Sequence, residues 1–212
     1  MELLAQLIDI FLHLDRHLTG FLGNYGLWVY ALLFLIIFAE TGFVVTPFLP
    51  GDSLLFVAGT LAAGSGLDIT ALIALLIAAS FGGDNTNYWI GHHLGPRVFT
   101  RADSWLFRAE YLERTREFYA RHGGKTVFLA RFLPILRTFA PFVAGVGRMS
   151  YARFLAFSLS GSIAWVGLFV LAGYYFGHLP VVRKNLMLVM LGIIIVSVLP
   201  GFIAWLRHRR SN

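Results

Sequence analysis

Apolar residues dominate this chain, and the polar residues that interrupt them divide it into segments. Leu4, Leu7, Ile8, Phe11, Leu18 and Leu22 fall at helical spacing, with Glu2, Gln6, Asp9, His13 and Arg16 on the opposite side. That pattern predicts an amphipathic helix over 1–26 lying at a membrane surface. Residues 27–45 form the first long apolar run, long enough to span a bilayer. Residues 41–64 follow with no polar loop, but they contain Pro47, Pro50 and Gly51. Such a segment is expected to dip into the membrane and return rather than cross it. Residues 69–91 predict a further span with a polar patch, Asp84, Asn85, Asn87 and Tyr88, near its end.

The region 92–125 is the one extended polar stretch. Asp103 or Ser104 can cap a helix that Gly123-Gly124 stops, and Glu110/Arg114 and Glu117/Arg121 make i,i+4 pairs along it. It reads as a second surface helix. Residues 126–147 are a second broken apolar segment, holding Arg131 and Arg137 with Pro134, Pro141, Gly145 and Gly147. Spans are expected over 154–177 and 187–206, the last kinked at Pro200-Gly201 and closed by Arg207, Arg209 and Arg210. The predicted fold is an all-α integral membrane protein, one domain over 1–212, with two oppositely oriented re-entrant hairpins.

Composition agrees with a membrane class. Mean hydropathy is +0.72, and 13% of residues are charged where a soluble domain has about 25%. With no cysteine, disulfides and thiolate chemistry are excluded. The net charge of +6 sits in loops and at the C-terminus, which favours anionic lipid heads over nucleic acid as partner. The acidic N-terminus is not a cleavable signal. Placing the arginine-rich tail in the cytoplasm puts the 92–125 region and the N-terminus there too, with 64–68 and 178–186 outside.

The two broken segments echo each other: Pro47-Phe48 precedes Gly51 and Ala58-Gly59, and Pro141-Phe142 precedes Ala144-Gly145. An inverted repeat would place a binding site where they meet. The first carries acids, Glu40 and Asp52; the second carries bases, Arg131 and Arg137. An unpaired charge at such depth costs about 2.5–3.5 kcal/mol or more, so these four are expected to pair or to meet water. Structural ion pairs are one reading. The other is a pathway in which arginine binds an anion, its planar fork suiting phosphate, and a carboxylate exchanges a proton. Asp84 with Asn87 either caps a re-entrant tip or marks a helix end at the interface. Histidines 92 and 93 lack a third ligand at metal spacing and read as interface residues, as do Trp28, Trp89, Trp165 and Trp205, which equally suit packing. No hydrolase, nucleotide-binding or metalloprotease motif occurs, so no enzyme, cofactor or metal is expected. Ser160 and Ser162 read as small residues for helix packing.

Glu40-Thr41-Gly42 followed by Pro47-Phe48-Leu49-Pro50-Gly51-Asp52-Ser53 resembles the signature of the DedA family. So do Gly83-Asp84 with Asn87-Tyr88 and Gly91, and Ala130-Arg131-Phe132 through Arg137-Thr138 to Pro141 and Ala144-Gly145. The resemblance implies a multi-pass bacterial inner-membrane protein with paired re-entrant hairpins, an architecture shared with VTT-domain scramblases. It implies lipid movement between leaflets, of undecaprenyl phosphate or phosphatidylethanolamine among others, with dependence on the proton motive force. It also marks Glu40, Asp52, Arg131 and Arg137 as required residues. The expected function is therefore a flippase for a phosphate-headed lipid, with Pro47, Pro50, Gly51, Asp84, Asn87, Pro141 and Gly145 supporting the site. The alternatives are a proton-coupled transporter of a small ion or drug and a non-transporting membrane organiser. Partners are membrane lipids and protons, and a homo-oligomer is left open.

Overall fold

A computed structural model of the chain describes residues 14–43, 51–65, 67–98 and 123–177, with positions 179, 182 and 192. Among these residues the structure is all helical. We number the helices α1 (Leu14–Gly42), α2 (Gly51–Ser65), α3 (Ile69–Val98), α4 (Lys125–Ala130), α5 (Pro134–Val146) and α6 (Tyr151–Phe176). Residues 1–13, residues 44–50 with Pro47 and Pro50, most of 92–125, and most of the expected span over 187–206 lie outside the described residues.

Two described helices are long and apolar enough to cross a membrane, over Ile69–Leu94 and Tyr151–Phe176. They run in opposite directions: Ser158 bonds Asp84 and Ser162 bonds Ser80, so one numbering rises as the other falls. Asp68 begins α3 as an N-cap, its Oδ1 accepting from the Thr70 and Ala71 N–H groups at 2.7 and 3.1 Å.

The other helices form two hairpins that enter this pair from opposite ends. In the first, α1 lies along α3 in the same direction. Tyr30 accepts from the Asp68 N–H at the start of α3, and Gly42 packs on Gly83 at its middle. The chain then returns as α2, whose first N–H meets Glu40. In the second hairpin α4 runs inward, with Gly124 against Phe157 and Arg131 against Gly161. A tight turn follows, and α5 runs back outward along α3.

Two expectations change here. The chain from Leu14 continues to Gly42 as one helix, with no break at the expected boundary near 26, and this helix ends level with the middle of α3, where Gly42 meets Gly83. In the second hairpin Pro141 lies inside α5 and does not end it. The break comes from Pro134, which forces the preceding Leu133 into an extended conformation (φ −117°, ψ 109°).

The hairpins are held by the same contact used twice. Phe-Val-Ala-Gly occurs at 56–59 in α2 and at 142–145 in α5. A Cβ on Gly59 would strike the Val170 carbonyl, and one on Gly145 the Tyr88 carbonyl. The long helices reciprocate: Gly173 sits against the Phe56 carbonyl and Gly91 against the Phe142 carbonyl. Backbones this close require glycine on both sides, as in small-residue crossings of membrane helices. Each short helix therefore packs on the long helix of the other half.

Apolar packing fills both ends of the bundle. One cluster joins Val29, Leu33 and Ile37 to Leu54, Leu55, Leu72, Leu76, Val166 and Val170; the other joins Tyr88, Val127, Ala144, Met149 and Phe154. Along α3 and α6 the polar residues fall between these clusters. Trp28, Leu35, Leu129, Ile163, Leu168 and Phe176 project from the outside, the surface a bilayer would cover.

Candidate functional site

The hairpin tips meet α3 and α6 at the middle of the bundle, where five charged side chains are buried. Glu40, Asp52, Asp84, Arg131 and Arg137 are each at most 7% exposed. They form two adjoining clusters.

In the first, Arg137 in the opening turn of α5 reaches the tip of the other hairpin. It donates from Nη2 to Glu40 Oε1 and from Nη1 to Asp52 Oδ1 at 2.6 Å. Both acids stand where the N-terminus of α2 favours negative charge. Glu40 Oε1 also accepts from the Gly51 N–H at 3.1 Å. A Cβ on Gly51 would collide with that carboxylate, so glycine is what lets the acid reach the helix end.

The second cluster surrounds Arg131, which lies in the tight turn between α4 and α5. Its Nη2 donates to Asp84 Oδ2 and its Nη1 to Ser80 Oγ. The Ser158 hydroxyl donates to the same Asp84 oxygen at 2.6 Å. Ser162 lies 3.4 Å from Ser80.

This divides the expected site. The four charges expected to form one group do not all pair together: Arg137 takes both acids of the first segment, and Arg131 takes Asp84. Asp84 neither caps a hairpin tip nor ends a helix. The helix expected to stop near 91 continues to Val98, which places Asp84 in its middle. Among the remaining supporting residues, Asn87 ties the two hairpin tips together. Its Nδ2 donates to the carbonyls of Thr41 and Thr138, at 3.2 and 2.6 Å. Gly145 serves the α3–α5 crossing, and Pro141 lies within α5.

Asn87→Ala removes both of these buried bonds between the hairpin tips, at about 1 kcal/mol for each. The variant is expected to unfold at a clearly lower temperature in detergent, while Asn85→Ala, whose amide donates to the Phe81 carbonyl one turn back and accepts from the Tyr151 hydroxyl at an exposed position, loses less.

Trp165 is the member that the sequence pattern missed. Aromatic residues in membrane proteins commonly occupy the interface, but this one is fully buried. Its Nε1–H donates to Asp52 Oδ1 at 2.8 Å. Its ring centroid lies 4.9 Å from the Arg137 guanidinium carbon and 6.0 Å from that of Arg131, within cation–π range. A signal was available. Ser158, Ser162 and Trp165 recur at i, i+4, i+7 on α6, as Ser80, Asp84 and Asn87 do on α3, so each long helix turns one polar stripe inward.

Three carboxylates against two guanidiniums leave one excess negative charge at the centre. Among the described residues, Glu40 Oε2, Ser53 Oγ, Asn87 Oδ1 and Arg137 Nε are buried without a hydrogen-bond partner. Native interiors leave few such groups, so this centre retains polar capacity that the fold does not use. Histidines 92 and 93 are set among Tyr88 and Trp89, the His92 ring 5.9 Å from that of Tyr88, and among the described residues no three acids or histidines are grouped to hold a metal.

Comparison with known proteins agrees with the sequence motifs. The VTT domain family matches residues 49–175. Protein DedA of Escherichia coli K12 is 54% identical over 213 residues, covering 100% of this chain and 97% of that protein. An uncharacterized membrane protein of Mycobacterium leprae is 42% identical, covering 90% and 87%. Inner membrane protein YqjA of Escherichia coli K12 is 34% identical, covering 87% and 83%. No solved structure matches.

Proposed function

Because this chain belongs to the DedA family of VTT-domain membrane proteins, we propose that it moves a phosphate-headed lipid between the leaflets of the bacterial inner membrane. The observation that carries this reading is the pair of buried ion clusters at the meeting point of two helical hairpins. Charges at that depth are rare and serve transport pathways far more often than packing. The hairpins are read as re-entrant, dipping from opposite faces, with the lipid head entering between them and its tail left in the bilayer.

Arg137 and Arg131 hold the phosphate. In the empty site their carboxylate partners take its place, so an arriving anion must displace them. Protonating an acid weakens its hold on arginine. The excess negative charge and the unpartnered Glu40 Oε2 make Glu40 the acid that couples lipid entry to a proton. With the arginine-rich tail cytoplasmic, the start of α3 is read as external and its end as cytoplasmic.

The test is movement of labelled undecaprenyl phosphate and phosphatidylethanolamine in reconstituted vesicles, with and without a pH gradient. Glu40→Ala and Arg131→Ala are each expected to lower the rate at least tenfold, the loss of about 1.4 kcal/mol of barrier stabilisation. Wild-type rates in both variants would remove these residues from the pathway.

A second reading is favoured by one observation: both guanidiniums are already paired with carboxylates, as in a membrane organiser whose ion pairs close the fold. A charge swap, Glu40→Arg with Arg137→Glu, separates the two. The organiser regains function, and the transporter stays folded and inactive.

A further inference from the structure

We propose that Trp165 is the positioning residue that keeps Asp52 in place while Arg137 exchanges it for another anion. The proposal rests on the reading of Arg137 as an anion carrier and assigns a role that a packing aromatic would not have.

Removing one partner from a buried ion pair is costly because the other charge is left unsatisfied. A transporter that opens such a pair in every cycle needs a second donor on the abandoned carboxylate. Asp52 Oδ1 has one: it accepts from Arg137 Nη1 and from Trp165 Nε1 at the same time, at 2.6 and 2.8 Å. The indole donor is neutral, and its side chain is enclosed on every side, so it stays when the guanidinium moves. Glu40, the other acid on Arg137, keeps the Gly51 N–H in the same way.

The ring adds a second property. Its centroid lies near both guanidiniums, 4.9 Å from Arg137 and 6.0 Å from Arg131. A guanidinium that releases its carboxylate therefore still has the π face beside it and is held within the site. The charged groups around Trp165 are Glu40 on α1, Asp52 on α2, Asp84 on α3, Arg131 after α4 and Arg137 on α5. The indole touches the first cluster through its N–H and both clusters through its ring.

Trp165→Phe keeps a ring and removes the donor. In reconstituted vesicles it is expected to lower the maximal rate of undecaprenyl phosphate movement roughly tenfold, the worth of one hydrogen bond to a charged group. The lipid fraction at half-maximal rate should stay close to wild type, and the melting temperature should fall by no more than the loss of one buried hydrogen bond accounts for. Trp165→Leu, which also removes the ring, should raise that half-maximal fraction as well.

A second measurement needs no lipid. The protein carries five tryptophans, and 15N labelling of their indoles gives a resonance for Trp165 that is identified by its loss in Trp165→Phe. In Arg137→Gln this indole proton is expected to move downfield and exchange more slowly, because Asp52 now depends on it. In Asp52→Asn it should move upfield. An indole resonance unmoved by Arg137→Gln, or a wild-type rate in Trp165→Phe, overturns the proposal. A fall in rate that only follows a fall in melting temperature overturns it too, since packing would explain that result. A wild-type protein that moves no phosphate-headed lipid overturns the transport reading instead, while the indole shift still decides the bond between Trp165 and Asp52.

Discussion

Arg137→Gln is expected to destabilise the protein by about 3–5 kcal/mol, the effect of stranding buried charges by removing their partner, and to abolish transport. The cost falls at the high end because this one side chain serves two carboxylates, Glu40 and Asp52. Neutral donors such as the Gly51 N–H and the Trp165 indole do not replace a positive charge. Unfolding in mild detergent measures the stability, and reconstituted vesicles measure the rate. The informative companion is the triple variant Glu40→Gln, Asp52→Asn, Arg137→Gln. Its amides can bond one another with no charge left over, so most of the lost stability should return. Transport should not return, because Arg131 alone is left to hold the phosphate and the proton-carrying Glu40 is gone. A triple variant that moves lipid at the wild-type rate would falsify the pathway and leave the charges a purely structural part.

The second large effect concerns the paired helix crossings. Gly59→Val and Gly145→Val should each cost about 3 kcal/mol or more, the upper range for overpacking. In both cases the new Cβ meets a backbone carbonyl, of Val170 or of Tyr88. A flexible side chain could turn aside, whereas a helix backbone must move as a whole. Displacing α2 from α6 would pull Asp52 from Trp165, and displacing α5 from α3 would pull Thr138 from Asn87. The two variants should therefore lose similar stability and both lose transport. Gly167→Ala is the control. It lies in α6 with open space where the methyl would go, so it should be neutral or stabilise by up to about 1 kcal/mol through helix propensity. Thermal unfolding of the three in one detergent checks the contrast. Equal melting temperatures for all three would show that the crossings are loose.

Much of the site was legible because it violates a strong rule. Glu40, Asp52, Arg131 and Arg137 stand out in apolar runs where a charge is expensive, and they identify themselves without any knowledge of the fold. Their partners do not. Asp84 looked like the end of a helix because polar residues and a paired histidine follow it. The helix runs past them to Val98, and that added length moves Asp84 from the interface to the middle, within reach of Arg131. The run over 27–45 has the length of a span, and length alone does not place its end. Gly42 packing on Gly83 and the Glu40 carboxylate meeting the first N–H of α2 put that end beside the middle of α3. Trp165 was hidden for a related reason. An aromatic residue in an apolar helix suits the interface or the core equally until the neighbouring helix is placed.

The sequence by itself determined the solvent this protein is built for, the two broken segments, the opposite signs of charge they carry, and the family to which their motifs belong. These are local properties, since hydropathy, proline, glycine and charge act where they stand. The tertiary structure decided which arginine holds which acid, brought Asp84 and Trp165 to the centre, and turned the repeated Phe-Val-Ala-Gly into two matching crossings. Those outcomes depend on where helices end and at what depth their faces meet. That depth is set by contacts between residues dozens of positions apart, such as Arg137 with Glu40 and Trp165 with Asp52.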